Sequence, residues 1–183
     1  MEITKTLQNY KFLKYFLLMI LGSILLTMSA KIKIPFYPVP MTMQTFVVIM
    51  LGIVLGSRVA TSTILLYLFE GLCGLPVFSN SPEKGVGIIY FTGPTMGYLI
   101  GFIFATYFAG KITLKDSYFQ IALKIISSIT IIYFLGLLWL GYLIGWEKPL
   151  FDLGAKPFLL AETFKVLILI IITKYLLKFR KFI

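Results

Sequence analysis

The chain of 183 residues contains no histidine and only one cysteine, Cys73. Without histidine there is no imidazole general base and no imidazole metal ligand. A lone cysteine excludes an internal disulfide. Charge is scarce as well. Asp, Glu, Lys and Arg make up 13% of the residues, against about 25% in soluble domains. The seven acidic residues are too scattered for a metal cluster, and no nucleophile–base spacing stands out, so neither an enzyme nor a cofactor or metal site is expected. ATP hydrolysis is excluded on the motif: Gly110-Lys111 has Ala105 where a phosphate-binding loop needs glycine, and Ile112 follows it.

What is present is apolar surface. Fifty-nine per cent of the residues are hydrophobic and the mean hydropathy is +0.95. A soluble fold of this length would leave large exposed apolar patches; a bilayer removes that difficulty. Six runs read as membrane spans, at about 12–30, 42–55, 59–72, 94–109, 121–144 and 158–177. They lack the alternation of barrel strands. The expected fold is therefore all-α, one integral membrane domain over 1–183 built as a six-transmembrane-helix bundle. Lys5, Lys11 and Lys14 before a run ending Met28-Ser29-Ala30 resemble a cleavable signal. Five further spans follow, so the first run is expected to stay as a helix.

The net charge of +10 does not imply nucleic acid, because the basic residues sit at the ends of the apolar runs. With both termini on one side, that side carries eleven: Lys5, Lys11, Lys14, Arg58, Lys111, Lys115, Lys124, Lys174, Lys178, Arg180 and Lys181. The other side carries five, Lys31, Lys33, Lys84, Lys148 and Lys156. The excess of basic residues predicts both termini in the cytoplasm of a multi-pass cell-membrane protein, with anionic lipid adding contacts. The long connections, 31–41, 73–93 and 145–157, hold every proline except Pro94, and such loops can cap a pocket.

Charges within spans are costly and mark function. Glu162 and Lys165 are three residues apart, so both heads lie on one helix face. They are either a mutually neutralising pair at the membrane boundary, with Lys165 snorkelling outward, or a donor and acceptor facing a polar cavity. Glu70, beside Gly71, has no evident partner and reads as interfacial. Gly93-Pro94-Thr95 reads as the start of the fourth helix, with Pro94 in its first turn. Thr92 and Thr95 there stand beside free N–H groups that favour a carboxylate. Gly97 and Gly101 form a packing seam. In Pro38-Val39-Pro40-Met41-Thr42-Met43-Gln44-Thr45 the prolines stiffen a loop and Thr42 opens a helix, with Gln44 in its first turn serving either capping or binding. Gly74-Leu75-Pro76-Val77-Phe78, leading into Ser79-Asn80, is a turn with an aromatic.

In order and spacing these stretches resemble the BioY family, the biotin-binding S components of energy-coupling factor (ECF) transporters. The matching segments are IPFYPVPMTMQT at 34–45, LGSR at 55–58, LLYLFEGLCGLPVF at 65–78, FTGPTMGYLIGF at 91–102 and PFLLAETFK at 157–165. The resemblance implies an outward-facing biotin pocket capped by the first external loop and the loop before the fourth helix. It also implies two partners, a transmembrane coupling protein and a pair of cytoplasmic ATPases. The family's sixth-helix motif is Pro-Phe-Leu-Pro-Gly-Asp-x-x-Lys; here Leu160, Ala161 and Glu162 replace Pro, Gly and Asp, and Lys165 matches. By this resemblance Glu162 is expected to accept from a ureido N–H and Lys165 to donate to the ureido oxygen, or Lys165 to meet the tail carboxylate. Gln44, Asn80, Thr92 and Thr95 supply polar contacts, Tyr98, Phe78 and Phe91 pack on the rings, and Lys84 meets the tail. A small-residue face on the first helix, Gly22, Ser23, Thr27 and Ala30, is expected to dock on the coupling protein. The competing readings are an S component for another small vitamin, which the Glu162 replacement favours, a membrane enzyme, and a structural membrane subunit.

Overall fold

The computed structural model describes residues 2–34 and 37–182. Its elements are α1 (Glu2–Lys31), a two-stranded antiparallel hairpin of β1 (Lys33–Ile34) and β2 (Met41–Thr42), α2 (Gln44–Leu72), α3 (Ile88–Phe91), α4 (Met96–Ala109), α5 (Tyr118–Ile144), α6 (Leu150–Gly154) and α7 (Leu159–Phe179). Helix α2 is two arms. Gly56 breaks it with φ 76° and ψ 166°, a conformation essentially confined to glycine. Gln44 Nε2 then donates to the Tyr67 hydroxyl at 2.8 Å, 23 residues away in sequence. Along a straight helix those residues would stand about 34 Å apart, so the chain reverses at Gly56. Counting both arms, α1, α4, α5 and α7 complete six long segments in the expected order.

The bundle has two unlike ends. At the turn end, Arg180 Nη1 donates to the Ile112 carbonyl at 3.1 Å and its guanidinium packs over Gly56. At the loop end, Lys31 Nζ donates to the carbonyls of Phe78 (2.8 Å) and Ser81 (2.7 Å). Helix α1 therefore ends beside the loops, and its start lies with the C-terminal residues at the turn end. Ser117 begins α5 with a reciprocal capping box to Gln120, which satisfies two orphan donors. Just before it, burial raises the pKa of the Asp116 carboxyl, but hydrogen bonds from Lys124 and the Thr113 N–H outweigh that and hold it below the usual range.

Among the described residues, the stretch Lys11–Lys31 and α5 are each long and apolar enough to cross a membrane as one helix, and α2 reaches that length only with its two arms taken together. Large apolar side chains cover the outside, among them Phe119, Phe134, Phe164 and Ile171, as a lipid solvent requires. Helix α4 has 14 residues, about 21 Å of rise against a hydrocarbon core of about 30 Å. The missing length is made up by α3 and the turn at Gly93–Thr95, which fold inward at the loop end.

Two expectations need correction here. The face of Gly22, Ser23, Thr27 and Ala30 is not open to a partner. Ser23 and Ala30 are buried, Gly22 abuts Thr63 of α2, and Thr27 Oγ1 bonds back to the Ser23 carbonyl at 3.0 Å. Small residues admit a close helix, and that helix is the chain's own α2. Glu70 likewise has a partner, since Ser23 Oγ donates to its Oε2. By contrast, the Gly97–Gly101 seam is real: α4 lies against α5 so closely that a Cβ on Gly97 would fall 2.3 Å from the Leu135 carbonyl oxygen, and one on Gly101 2.7 Å from Ile132 Cα.

Gly97→Ala and Gly101→Ala should each cost about 1–3 kcal/mol through overpacking, read as a lower thermal midpoint in detergent. Unchanged midpoints would mean that the seam can open without penalty.

Candidate functional site

A narrow cavity, partly open to the outside, lies at the loop end. Four long segments and both loops contribute to its wall. The first connection gives Val39, Pro40, Met41 and Thr42; the start of α2 gives Gln44 and Thr45; the second connection gives Phe78 and Ser79. Tyr90 comes from α3, and Thr95, Tyr98, Leu99 and Phe102 from the turn before α4 and from α4 itself. Ile132 and Tyr133 of α5 close one side, and Phe158 and Glu162 another. The wall is mostly apolar and aromatic with few polar groups, as small-molecule sites are.

Its charged corner is tightly specified. Glu162 and Lys165 are each 6% exposed. Lys165 Nζ donates to Glu162 Oε1 at 2.8 Å, to Thr45 Oγ1 at 3.0 Å and to the Thr42 carbonyl at 2.6 Å. An ammonium has three N–H donors, and all three are used. Thr45 Oγ1 in turn donates to Glu162 Oε1 at 2.8 Å. The other carboxylate oxygen, Oε2, is buried and has no hydrogen-bond partner. Tyr133 stands beside this carboxylate. A buried acceptor left bare costs about 1–3 kcal/mol, more for a charged group, unless a ligand supplies a donor.

Aromatic rings form another wall. Phe78 stacks on Tyr90 with centroids 4.6 Å apart and meets Tyr67 and Phe91 edge-on at 5.3 and 5.4 Å. Its ring is admitted because residue 71 is glycine; a Cβ there would overlap it. Tyr98 meets Tyr133 edge-on at 5.8 Å, and its hydroxyl donates to the Gly154 carbonyl at 2.7 Å, tying α4 to α6. A second chamber adjoins the first. It is lined by Asn80, Lys84, Ile89, Tyr90, Thr92, Gly93, Pro94 and Thr95, and Tyr90 and Thr95 line both.

The residues singled out in the sequence fall into three groups. Glu162, Gln44, Thr95, Tyr98 and Phe78 line the main chamber. Asn80, Lys84, Thr92 and again Thr95 line the second; Lys84 also sits 5.8 Å from the Tyr37 ring centroid. Lys165 and Phe91 are one layer back, Lys165 beside a side opening under the β1–β2 hairpin and Phe91 against Phe78. The local readings shift in detail. Thr42 lies in β2 and does not open the helix; its Oγ1 accepts from the Gln44 N–H at 3.3 Å. Helix α4 begins at Met96 with no side-chain cap from Thr95, Thr92 Oγ1 bonds to the Ile89 carbonyl, and the Gly93 carbonyl accepts from Trp139 Nε1 at 2.9 Å. Neither threonine hydroxyl caps that helix start. The sequence reading missed Thr45 and Tyr133. Thr45 was legible as the polar residue one position past Gln44; Tyr133 sits in an unbroken apolar run that carries no local signal.

A family model described as the BioY family matches residues 4–182. A probable biotin transporter BioY from Pyrococcus horikoshii is 36% identical over 152 residues, covering 83% of this chain and 89% of that protein. The biotin transporter BioY of Thermotoga maritima is 34% identical over 155 residues, 84% of this chain and 90% of that protein. A crystal structure of the S-component for biotin from an ECF-type ABC transporter is similar with a TM-score of 0.77 at 24% identity, over 93% of this chain and 94% of that one, a likeness of fold. The family match spans nearly the whole sequence and the relatives exceed 30% identity over most of their length: this chain belongs to the BioY family.

Proposed function

We propose that the chain binds biotin at the loop end and serves as the substrate-binding S component of an ECF transporter, in transport and not catalysis. The observation that carries this reading is Glu162 Oε2, a buried carboxylate oxygen without a partner in the wall of an aromatic chamber. Biotin's ureido ring offers two N–H donors and a carbonyl on a compact apolar body. One ureido N–H donates to Oε2, and the Tyr133 hydroxyl stands beside the same carboxylate. Lys165 is a positioning residue in this scheme. With its three N–H groups already engaged, it fixes Oε1 and so presents Oε2, and has no donor left for the ureido oxygen or the tail. The rings of Phe78, Tyr90 and Tyr98 pack on the bicycle. The tail runs past Tyr90 and Thr95 into the second chamber, where Lys84 meets its carboxylate and Asn80 and Thr92 give polar contacts.

Residues 1–183 act as one membrane unit with both chain ends in the cytoplasm, a placement supported by the eleven basic residues at the turn end and termini against five at the loop end. The coupling protein and ATPase pair remain the expected partners, docked on a face other than the one α2 covers. Glu162 in the place of the family's Asp favours a second reading, an S component for another small vitamin, because the added methylene moves the carboxylate further into the chamber.

Calorimetry on the purified chain should show tight one-to-one binding of biotin and none of an unrelated vitamin. Tight binding of that other vitamin, with biotin silent, would establish the second reading. Glu162→Gln should weaken biotin roughly 10- to 100-fold by replacing a charged acceptor. Lys165→Met should lower stability by about 3–5 kcal/mol by stranding a buried charge, and combining it with Glu162→Gln should recover most of that loss while binding stays weak. Full stability in the Lys165→Met single variant would contradict the positioning role.

A further inference from the structure

The turn end holds a feature that the ligand chambers do not use. An open cleft between the α4–α5 connection and the end of α7 is lined by Thr113, Leu114, Lys115, Leu177, Arg180 and Lys181. Arg180 is held before any ligand arrives, by the Ile112 carbonyl at 3.1 Å and by Gly56, where an added Cβ would fall 2.9 Å from its Cζ. A guanidinium has five N–H donors in a planar fork, and Arg180 has no salt bridge among the described residues. Lys115 and Lys181 are exposed beside it. The neighbouring lysines are otherwise occupied: Lys111 lies over Tyr107, Lys174 over Tyr118 and Lys178 over Tyr175. The one carboxylate of the α4–α5 connection, Asp116, is held by Lys124 at 2.7 Å. The cleft thus gathers three cations, a hydroxyl and two leucines, with no acidic side chain among its described lining residues.

Like charges drawn together repel, and an anion would relieve that repulsion. The Arg fork matches phosphate oxygens bidentately. Leu114, 42% exposed, adds an apolar surface that a free ion has no use for. The cleft also opens at the turn end of a membrane bundle, the end that carries the excess of basic residues. We propose that this cleft binds the phosphate of an anionic phospholipid headgroup, with Arg180 as the fixed fork, Lys115 and Lys181 as flanking cations, and Leu114 against the glycerol end of the acyl chains.

The test is native mass spectrometry of the full chain in detergent, titrated with phosphatidylglycerol, phosphatidylcholine and inorganic phosphate. Phosphatidylglycerol should be retained about tenfold more strongly than phosphatidylcholine. The Lys115→Gln, Lys181→Gln double variant should weaken it roughly 30-fold, about a factor of five per cation, with an unchanged thermal midpoint. Arg180→Gln should remove it, and is read beside its own midpoint because Arg180 also braces Gly56. Equal retention of the two lipids, displacement by an equal concentration of inorganic phosphate, or full retention by the double variant would each overturn the proposal.

Discussion

Lys165 carries three N–H groups into the interior of the bundle, and each finds an oxygen on a different piece of structure: Glu162 one turn away on α7, Thr45 on the first turn of α2, and the Thr42 carbonyl on β2. Burying an ammonium is tolerated only when it is paired and hydrogen-bonded. The need to satisfy one buried charge therefore fixes where α7 stands against α2 and where the β1–β2 hairpin closes over the chamber. Glu162 balances the charge with one oxygen and keeps the other for the chamber. A neutral substitute could fill the volume; it could not set the direction of a free acceptor.

Around that corner, the chamber exists because α4 stops short. Its 14 residues span too little to cross the hydrocarbon core alone. The space above it at the loop end is filled by the hairpin, by the 77–81 segment and by α3. These pieces are pinned by cations on carbonyls: Lys31 on Phe78 and Ser81, Lys33 on Ser79 at 2.7 Å. Glycine sets how near the walls approach. Gly71 admits the Phe78 ring, and Gly136 admits that of Tyr98. The same chain uses its two ends differently, with the loop end folded over a small chamber and the turn end drawn tight around Arg180.

Much of this was legible in the sequence. Apolar runs marked the six segments, three of them shorter than a full span, and the cost of intramembrane charge singled out Glu162 and Lys165. What stayed hidden was the direction in which side chains are used. Small residues on α1 signal a close neighbour without saying whose helix it is, and here it is α2. The sequence could not show that Thr42 and Thr45 would engage the Lys165 ammonium beside Glu162. Tyr133 is one aromatic among many in α5; only the packing of α5 against α7 brings it beside Glu162. The helix expected to start at residue 94 starts at Met96, because Gly93–Thr95 is drawn into a turn whose carbonyl is held by Trp139, a contact 46 residues away.

The central claim is that Glu162 is held by Lys165 through one oxygen so that the other meets the ligand. A crystal structure of this chain with biotin bound tests it most directly. The account predicts a ureido nitrogen within about 3 Å of Glu162 Oε2, with Lys165 still on Oε1, Thr45 and the Thr42 carbonyl. Biotin seated elsewhere with Oε2 bare, or Lys165 released from those oxygens to bond the ligand itself, would contradict it.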